Sequence, residues 1–365
     1  MPITEVTINV VVHNGEKYIR QCLDSIFKQT YPHEQIEINI LDNNSTDSTQ
    51  ELIRNLGFSP AFVAEAASAE WAISDLGFAK FSSFRKDKNL GMWPGQEWLL
   101  QHSQGKYIVC LSVDVILDPD FIKNAIAVME RDDKTGALQG KVLKYELGST
   151  NYENNVRLTK SDIIDTCGFE IYKSRRIVNI GHGELDEGQY NEQKKIFGVE
   201  GAVPVFRHEA LEDIRIEGKV VDPDFFWYGD DLDITWRMNM FGWRQIYSPD
   251  VIAWHDRKTT KELADGNWSS FIKIRKIVPR FKRRLDYRNW LFTVIKNDYF
   301  SNIVRDFWPI LKRQSMLWTY FIIFEPWMLL EIPLVIKMMP RMLRRRKEVM
   351  QKSKVNFGEI SEWFR

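Results

Sequence analysis

Short apolar runs rich in β-branched residues alternate with amphipathic stretches along the first third of the chain. The short runs predict a buried strand at residues 7–12 and further strands at 36–41, 79–85 and 107–113. Apolar residues at helical spacing predict intervening helices at about residues 18–29, 47–55 and 95–103. Strands that are separated by single helices pair in parallel, so this part predicts an α/β domain whose ligands lie at the carboxyl ends of the strands.

The pattern becomes less regular in the middle of the chain. Mixed strands and loops are predicted over residues 138–145, 163–172 and 199–207, and a further strand-like run at 245–254 ends at His255. We therefore expect one α/β body over residues 1–256 and a helical region over residues 257–365.

The formal net charge is zero, but the charges are unevenly distributed. Residues 257–365 carry 24 Lys and Arg against 10 Asp and Glu, whereas residues 1–256 carry 26 against 40. A basic C-terminal region predicts attraction to anionic partners. The cysteines are few and the first residues lack a basic, apolar leader, so we expect a reducing compartment and no signal peptide.

The C-terminal region is also apolar between residues 316 and 339, just before the basic cluster 341–347. Its length would permit a membrane-spanning helix, but Glu325 and Glu331 inside it would each cost a few kcal/mol in a bilayer. The composition favours an amphipathic segment that lies on an anionic surface, at the cytoplasmic face of the cell membrane. A helical appendage packed on the body is the alternative.

Several common catalytic motifs are absent from the sequence. No G-x-G-x-x-G follows the first strand, and residues 136–141 approach a phosphate-loop pattern with short spacing and Val142 in place of Ser or Thr. H-E-x-x-H, C-x-x-C and G-x-S-x-G motifs are also missing. These absences argue against dinucleotide binding and Ser-His-Asp hydrolysis.

Three carboxylates, Asp230, Asp231 and Asp233, fall within four positions after the aromatic run 225–228. Adjacent like charges raise one another's pKa and are costly to bring together unless a metal, a cation or a shared proton offsets them. The cluster therefore predicts a site rather than a solvated surface.

Asp114 follows the strand predicted at 107–113, and on its own it could be a turn or helix-capping residue. Together with Asp230, Asp231 and the later His255, it predicts an oxygen-rich site for Mg²⁺ or Mn²⁺, which would bridge a carboxylate and a substrate diphosphate. An isolated His after a strand is more often structural, so His255 also has a purely structural interpretation.

Asp42 ends the second predicted strand and is followed by two asparagines. A carboxylate there could accept a hydrogen bond from a pyrimidine N3–H, or it could open an Asx turn. The sequence does not separate these two interpretations.

The chain resembles family 2 glycosyltransferases of the GT-A fold over roughly residues 6–256. The resemblance rests on VHNGEKYI at 12–19, LDSIFKQTYP at 23–32, ILDNNSTDST at 40–49, KNLG at 88–91, FGVEGA at 197–202 and YGDDLDITWR at 228–237. DEGQY at 186–190 adds similarity to the rhamnosyltransferase-like branch of that family. The combination is specific, although each piece alone is not.

The resemblance implies a Rossmann-like nucleotide-binding half at 1–115, a mixed acceptor half at 116–256, and roles for individual residues. Asp231 would be the general base with Asp230 as its neighbour, and Asp114 and His255 would be metal ligands. The residues expected to bind the nucleotide-sugar donor are Val12, His13, Asn14, Asp42, Asn44, Asn89, Gly91 and Ser112. The residues expected on the acceptor side are Gly201, Trp227, Asp233, Trp236 and Arg237.

Two departures from the family pattern bear on the donor. Where many relatives have Asp-x-Asp, this chain has Ser112, Val113 and Asp114, which leaves metal affinity and the donor nucleotide less defined. Residues 92–96 also differ from the usual small residues after Asn-x-Gly.

The expected function is a metal-dependent, inverting transfer of a sugar, with dTDP-L-rhamnose favoured over UDP-hexose, UDP-N-acetylhexosamine or UDP-galactofuranose. The expected partners are that nucleotide sugar, a polyprenyl-linked or other glycan acceptor, and the membrane surface, with no nucleic acid. A metal-dependent nucleotidyltransferase is the main alternative, although it would carry a Gly- and Lys/Arg-rich phosphate loop where this chain has residues 13–16. A non-catalytic binding protein is a second alternative, which the intact pair Asp230 and Asp231 disfavours.

Overall fold

The computed structural model describes residues 4–58, 76–148, 158–257, 272 and 275–365. Its strands are β1 (Val6–Val12), β2 (Ile36–Asp42), β3 (Lys80–Arg85), β4 (Tyr107–Ser112), β5 (Val115–Leu117), β6 (Thr135–Leu147), β7 (Leu158–Thr166), β8 (Phe169–Ile171), β9 (Ile177–Asn179), β10 (Lys194–Lys195), β11 (Val205–Arg207) and β12 (Arg244–His255). Its helices are α1 (Ile19–Phe27), α2 (Thr49–Phe58), α3 (Met92–Leu100), α4 (Phe121–Met129), α5 (His208–Asp213), α6 (Asp230–Met240), α7 (Arg280–Asn297), α8 (Phe300–Arg305), α9 (Phe307–Phe324), α10 (Glu331–Lys352) and α11 (Phe357–Ser361).

Strands β1 to β4 form a parallel half-sheet in the order β3-β2-β1-β4. Every residue of β1 and β2 is buried, as is usual for parallel strands whose two faces are covered. This burial explains the uninterrupted apolar runs in the sequence. The four strands and three helices predicted for this part are confirmed, with helix ends that differ by a few residues.

Beyond β4 the same sheet becomes mixed. Strand β11 is antiparallel to β4 and β6, whereas β12 runs parallel to β6. The predicted runs at 138–145, 163–172 and 199–207 fall on β6, on β7 with β8, and on a segment that ends with β11. The predicted α/β fold with a helical C-terminal region is therefore confirmed.

The strand register brings the polar strand ends to one edge of the sheet. Val12 pairs with Asp42, so β1 and β2 end side by side. Val115, directly after Asp114, pairs with His255 at the end of β12. The fold thus places residues from distant parts of the sequence around one region.

The C-terminal helices pack into the body of the molecule. Val294, Val349 and Phe364 belong to the same buried cluster as Phe197 and Trp236. The boundary at residue 256 stays a sequence-based prediction, but the hydrophobic core crosses it. The C-terminal region consequently also supports the rest of the fold.

The two glutamates that argued against a membrane-spanning helix are buried and form ion pairs. Glu325 contacts Arg275 at 3.0 Å and also contacts Arg283. Glu331 pairs with Arg284. Both carboxylates therefore have cationic partners within the C-terminal region.

Among the described residues, no single helix is long and apolar enough to cross a bilayer, although Phe307–Phe324 and Pro326–Lys352, bent by 110°, meet that test as a pair. Many large apolar side chains of this region are solvent-exposed. They include Phe300, Val304, Phe307, Trp308, Leu311, Met316, Ile322, Ile323, Phe324, Leu330, Ile336 and Leu343.

Candidate active site

Asp231 lies in the first turn of α6, after a loop of unusual backbone conformation. Tyr228 has φ 69° and Gly229 has φ 79°. The Oδ2 atom of Asp231 accepts a hydrogen bond from the backbone N–H of Gly201 at 3.1 Å, and Oδ1 accepts one from the N–H of Leu232 at 2.8 Å. The carboxyl is thus held between two segments of the chain.

Gly201 leaves little room for any other residue. A Cβ atom there would lie 3.1 Å from Asp231 Oδ2 and 3.2 Å from the Nε1 atom of Trp93. Gly201, which was expected on the acceptor side, thus lies beside the Asp231 carboxyl and donates a hydrogen bond to it.

The pKa of Asp231 is raised to about 7. Burial is the largest cause and the nearby charge of Glu200 is the second, whereas the two backbone hydrogen bonds and Arg257 act in the opposite direction. A carboxyl that titrates near neutral pH suits proton transfer in either direction.

Asp230, the neighbour of Asp231, is in a different environment. It is almost fully buried, and neither carboxyl oxygen has a hydrogen-bond partner among the described residues. Burial, followed by the charges of Asp231 and Asp222, raises the pKa of Asp230 well above its ordinary value. Asp230 is absent from the cavity wall and lies behind Asp231, where its burial favours the protonated form of the carboxyl.

Asp231 lies on the wall of a cavity of about 380 Å³. The wall combines residues from α6, the β8–β9 hairpin and the C-terminal helices α7 and α9. Its polar and aromatic lining includes Asn179, Glu200, Tyr228, Arg257, Arg275, Asp286, Tyr287, Trp290 and Arg313.

A chain of charged contacts runs from the sheet edge to this cavity. Asp114 Oδ1 lies 3.6 Å from His255 Nε2, and His255 Nδ1 lies 2.9 Å from Asp165 Oδ2. Asp165 pairs with Arg257 at 2.7 Å, and Arg257 pairs with Glu200 at 2.8 Å. The predicted metal ligands Asp114 and His255 are therefore neighbours, and they connect to the surroundings of Asp231.

The chemistry of this pair fits a divalent cation. Asp114 offers a carboxylate, which also accepts a hydrogen bond from Ser112, and Asp165 holds the second ring nitrogen of His255, which would orient the ring for a metal ion that displaces its proton. Although burial opposes the charged imidazole, Asp114 and Asp165 raise the pKa of His255 to about 10. No group of three His, Cys, Asp or Glu side chains in the described ranges forms a complete metal site, so substrate oxygens would have to complete the coordination.

On the donor side, both carboxyl oxygens of Asp42 are already engaged. Oδ1 accepts from the backbone N–H of Ser45 at 2.8 Å, and Oδ2 accepts from Arg85 at 2.8 Å. The bond to Ser45 spans three residues, one more than in an Asx turn, and the nucleotide-binding role of Asp42 stays a prediction. Asn14 likewise accepts a hydrogen bond from the N–H of Thr46 at 2.8 Å.

The remaining donor-side residues form the loops around Asp42. The carbonyl of Val12 accepts from the N–H of Asn43, and Nδ1 of His13 lies 3.0 Å from the carbonyl of Asn43. Asn44 has φ 67°. All three lie at the edge where β1 and β2 end.

Asn43, which the sequence analysis did not single out, fixes the loop at 88–91. Its Nδ2 donates to Asn89 Oδ1 at 3.1 Å and to the Gly91 carbonyl at 2.9 Å, and its Oδ1 accepts from the Leu90 N–H at 2.8 Å. Gly91 has φ 95°, and a Cβ there would lie 2.1 Å from the carbonyl oxygen of Phe226. The donor-side loop therefore contacts the loop that precedes α6.

Three of the residues expected on the acceptor side are buried in the structure. Asp233, Trp236 and Arg237 lie on buried faces of α6, because helical spacing turns them away from the cavity that Asp231 lines. Asp233 accepts from Asn297 at 2.8 Å and pairs with Arg237 at 3.1 Å. The indole of Trp236 packs in the core, so these residues hold the helix in place.

Trp227, the remaining acceptor-side residue, is at the surface. It is 36% exposed, it stacks on Tyr228 with ring centroids 4.9 Å apart, and the Nζ atom of Lys282 lies 4.1 Å from its ring centre. Trp227 does not line the cavity itself.

Sequence reasoning missed several charged residues of the site. Glu200 lies inside the FGVEGA motif and Arg257 is two positions after His255, so both had a local signal. Asp165 and the cavity residues of α7 and α9 had none, since only the tertiary structure brings them to the site.

Comparisons with known proteins agree with this architecture. Residues 7–215 match the family described as Glycosyl transferase family 2. The chain is 22% identical over 314 residues to a Poly-beta-1,6-N-acetyl-D-glucosamine synthase of Staphylococcus epidermidis, covering 86% of this chain and 58% of that protein. It is 26% identical over 129 residues to a Dolichyl N-acetyl-alpha-D-glucosaminyl phosphate 3-beta-D-2,3-diacetamido-2,3-dideoxy-beta-D-glucuronosyltransferase of Methanococcus voltae, covering 35% of each.

Among solved structures, the fold is similar to that of GalNAc-T7 with UDP, GalNAc and Mn2+. The TM-score is 0.52 at 12% identity, and the match covers 80% of this chain and 51% of that one. This similarity shows a shared fold, the GT-A arrangement. The chain thus spans between about a third and three fifths of the length of the curated relatives named above.

Proposed function

Because this chain belongs to glycosyl transferase family 2, we propose that it transfers a sugar from a nucleotide diphosphate to a hydroxyl of a glycan acceptor. The observation that carries this proposal is Asp231, whose pKa is raised to about 7 on the wall of the cavity. A base must be partly deprotonated at working pH and within reach of the acceptor, and the raised pKa of Asp231 and its place on the cavity wall support that role.

The proposed reaction is a single displacement with inversion. The acceptor oxygen forms a bond to the anomeric carbon while the bond from that carbon to the diphosphate oxygen breaks. The hydroxyl proton passes to the carboxylate of Asp231, and the electron pair of the broken bond leaves with the nucleotide diphosphate. Gly201 and Leu232 orient the carboxylate through their N–H groups.

We propose that Mg²⁺ or Mn²⁺ serves this reaction, held by Asp114 and His255. Such an ion would neutralise charge that develops on the departing diphosphate. Asp165 would orient His255 through the 2.9 Å contact at Nδ1.

For the donor of the sugar, we propose UDP-N-acetylhexosamine as the first candidate. A relative that covers 86% of this chain carries N-acetyl-D-glucosamine in its name. The expectation of dTDP-L-rhamnose rested in part on residues 186–190, and none of these lines the cavity. Asp186 instead pairs with Lys141 at 2.8 Å. Rhamnose therefore remains the second candidate.

We further propose that the acceptor is carried by a lipid, such as an undecaprenyl-diphosphate glycan, at the cytoplasmic face of the membrane. Exposed apolar residues of α9 and α10 would contact the bilayer. Lys312 and Lys337 are exposed on the same two helices and would contact anionic headgroups. The cavity that opens against α9 would then receive the sugar end of the acceptor.

Asp231→Asn tests the catalytic proposal. The variant should lose about 10²- to 10⁴-fold in turnover, because Asn cannot accept the proton, while its thermal melting stays cooperative. Asp250→Asn, at an exposed position, is the matched control. Near-normal turnover of Asp231→Asn would refute the role assigned to this residue.

The products distinguish the proposal from its main alternative. A glycosyltransferase releases UDP or dTDP from a nucleotide sugar, whereas a nucleotidyltransferase releases pyrophosphate from a nucleoside triphosphate. Release should be measured from UDP-N-acetylglucosamine, dTDP-L-rhamnose and UTP, each with and without Mn²⁺. Pyrophosphate release alone would favour the nucleotidyltransferase.

A further inference from the structure

The C-terminal helices supply one side of the cavity that contains Asp231. Asp286, Tyr287 and Trp290 come from α7, and Arg313 comes from α9. From their arrangement we infer that Asp286 and Arg313, together with the indole of Trp290, form a binding site for an uncharged sugar unit of the acceptor. This inference rests on the proposed function and gives the C-terminal helices a part in acceptor selection.

Asp286 is an ionisable group without a protein partner in the described ranges. Among the residues that the structure describes, its carboxyl makes no hydrogen bond or ion pair, although the positive charges of Arg275 and Arg313 lie close enough to lower its pKa; Arg257 and Arg275 by contrast pair with Glu200 and Glu325. Solvent reaches Asp286, yet burial among surrounding protein atoms raises its pKa. A carboxyl that faces the interior of the cavity is both reached by solvent and surrounded by protein atoms, which accounts for the two observations.

Arg313 offers the complementary group. Its Nη1 atom is buried and has no hydrogen-bond partner among the described residues. Its guanidinium carbon lies 4.6 Å from the ring centre of Trp290, which holds the group in place while leaving N–H donors free. Buried polar atoms without a partner are rare in folded proteins, so a ligand that satisfies them is the expected occupant.

The aromatic residues between these groups are held in fixed orientations. Trp290 donates from Nε1 to the carbonyl of Arg175 at 2.8 Å, and the hydroxyl of Tyr287 donates to Gln314 Oε1 at 3.0 Å. Asp286 and Trp290 are four positions apart on α7, so they share one face of that helix. A preformed aromatic wall with polar groups beside it is typical of small-molecule sites.

These features match the surface of a sugar ring. Its hydroxyls can donate to the carboxylate of Asp286 and accept from the guanidinium of Arg313, and its apolar face can pack on the indole of Trp290. The negative charge of Asp286 offsets the positive charge of Arg313, so the site favours a neutral sugar over a uronate or a phosphate. The volume of about 380 Å³ lies in the range of small-molecule sites, roughly 300–1,000 Å³.

The position of this site relative to Asp231 is set by α7. Asn289, one turn after Asp286, donates to the carbonyl oxygens of Trp227 and Tyr228, just before α6. Lys296, farther along α7, pairs with Asp233 at 2.9 Å. The helix that carries Asp286 is thus fixed to the helix that carries Asp231.

The test compares Asp286→Asn and Arg313→Gln with the wild-type protein. The acceptor KM should rise by about ten- to a hundredfold in each variant, because a charged hydrogen bond to the sugar is lost. The dissociation constant of the donor, measured by calorimetry, should stay within twofold of wild type. Acceptors are p-nitrophenyl hexosides and N-acetylhexosaminides, and the donor is the nucleotide sugar from which the wild-type protein releases most nucleotide. Asp133→Asn, in the exposed α4–β6 loop, is the matched control.

Saturation-transfer NMR with the same glycosides gives a readout that needs no turnover. NMR signals that are present for the wild type and lost in both folded variants would support the sugar site. They would do so even if no donor were turned over, because inactivity with every donor counts only against the proposed function. Unchanged acceptor KM and unchanged NMR signals in both variants would overturn the inference and leave the proposed function standing.

Discussion

Asn289 donates a hydrogen bond from Nδ2 to the carbonyl oxygen of Tyr228 at 2.8 Å. Tyr228 has φ 69°, a conformation that is strained for a residue with a side chain, and it lies two positions before α6. Asn289 is fully buried on α7. The C-terminal region therefore stabilises the loop that delivers Asp231 to the cavity.

We expect Asn289→Ala to lower the free energy of unfolding by about 1–3 kcal/mol, because two partly buried carbonyl oxygens lose the donor that the buried Asn289 supplies. Relaxation of the loop should also displace Asp231 and lower kcat. Urea denaturation and initial rates measure the two effects.

Asn124→Ala is the matched control for this prediction. Asn124 also donates to a backbone carbonyl, that of Asp250 at 2.7 Å, but it does so at the surface. Its replacement should cost less stability and leave kcat unchanged. Equal effects of the two substitutions would mean that Asn289 has no special role at the loop.

The sequence predicted well those elements that depend on the pattern of neighbouring residues. Strands β1 and β2 were predictable because each is buried along its whole length, so its sequence is continuously apolar. Asp231 was recognisable because its charged neighbours are adjacent in sequence. The proximity of Asp114 and His255 was also anticipated, although it depends on the pairing of β5 with β12.

The part that sequence predicted poorly depends on contacts between distant segments. Asp233 and Trp236 were expected on the acceptor side because the family resemblance implied it, but contacts with α7 and with the last residues of the chain keep them buried. Trp236 packs against Phe364 with ring centroids 6.0 Å apart. Asp286 carries no local sign of its place in the cavity, since it stands between the basic residues Arg284 and Arg288 in a region whose net charge is positive.

Replacement of Glu200 should shift the pH dependence of activity. The negative charge of Glu200 is the second cause, after burial, of the raised pKa of Asp231, which is about 7. Glu200→Gln removes that charge and frees Arg257, and both changes favour the ionised form of Asp231. The pKa of Asp231 should therefore fall, and the acidic limb of the profile of kcat/KM against pH should move to lower pH.

The base is active when it is deprotonated, so wild-type kcat/KM should rise with pH through about 7 and Glu200→Gln should reach its plateau earlier. Glu209→Gln, at an exposed position on α5, is the control and should leave the profile unchanged. A shift of the Glu200→Gln limb towards higher pH would contradict the electrostatic explanation.

Gly91→Ala should damage both stability and donor binding. The residue has φ 95°, and an added Cβ would meet the carbonyl oxygen of Phe226 at 2.1 Å, a contact that only backbone movement can relieve. We expect a loss of about 2–4 kcal/mol in the free energy of unfolding, at the upper end for single substitutions. Chemical denaturation and calorimetric titration with UDP provide the measurements.

Gly218→Ala separates the two causes of this loss. Gly218 has φ 75°, but nothing lies within 4 Å of an added Cβ. That variant should show only the cost of the backbone conformation, about 1 kcal/mol. Similar losses in the two variants would mean that the contact with Phe226 is unimportant.

Membrane attachment should depend on exposed apolar residues of the C-terminal helices. Trp308 is 75% exposed on α9, and Leu330 is 73% exposed just before α10. Full burial of such a side chain is worth about 1.5–3 kcal/mol, so the double variant Trp308→Ser, Leu330→Ser should lower partitioning onto phosphatidylglycerol vesicles at least tenfold. Because basic residues contribute, raised salt should weaken binding of the wild type as well.

Point variants suit this question better than a truncation, because removal of the C-terminal region would take Val349 and Phe364 from the core. Leu185→Ser is the matched control, since Leu185 is 55% exposed in a loop of the body. It should leave vesicle sedimentation unchanged. If the double variant sediments with vesicles as well as the wild type does, the exposed surface of α9 and α10 has another purpose, and the acceptor must reach the cavity without help from a bilayer.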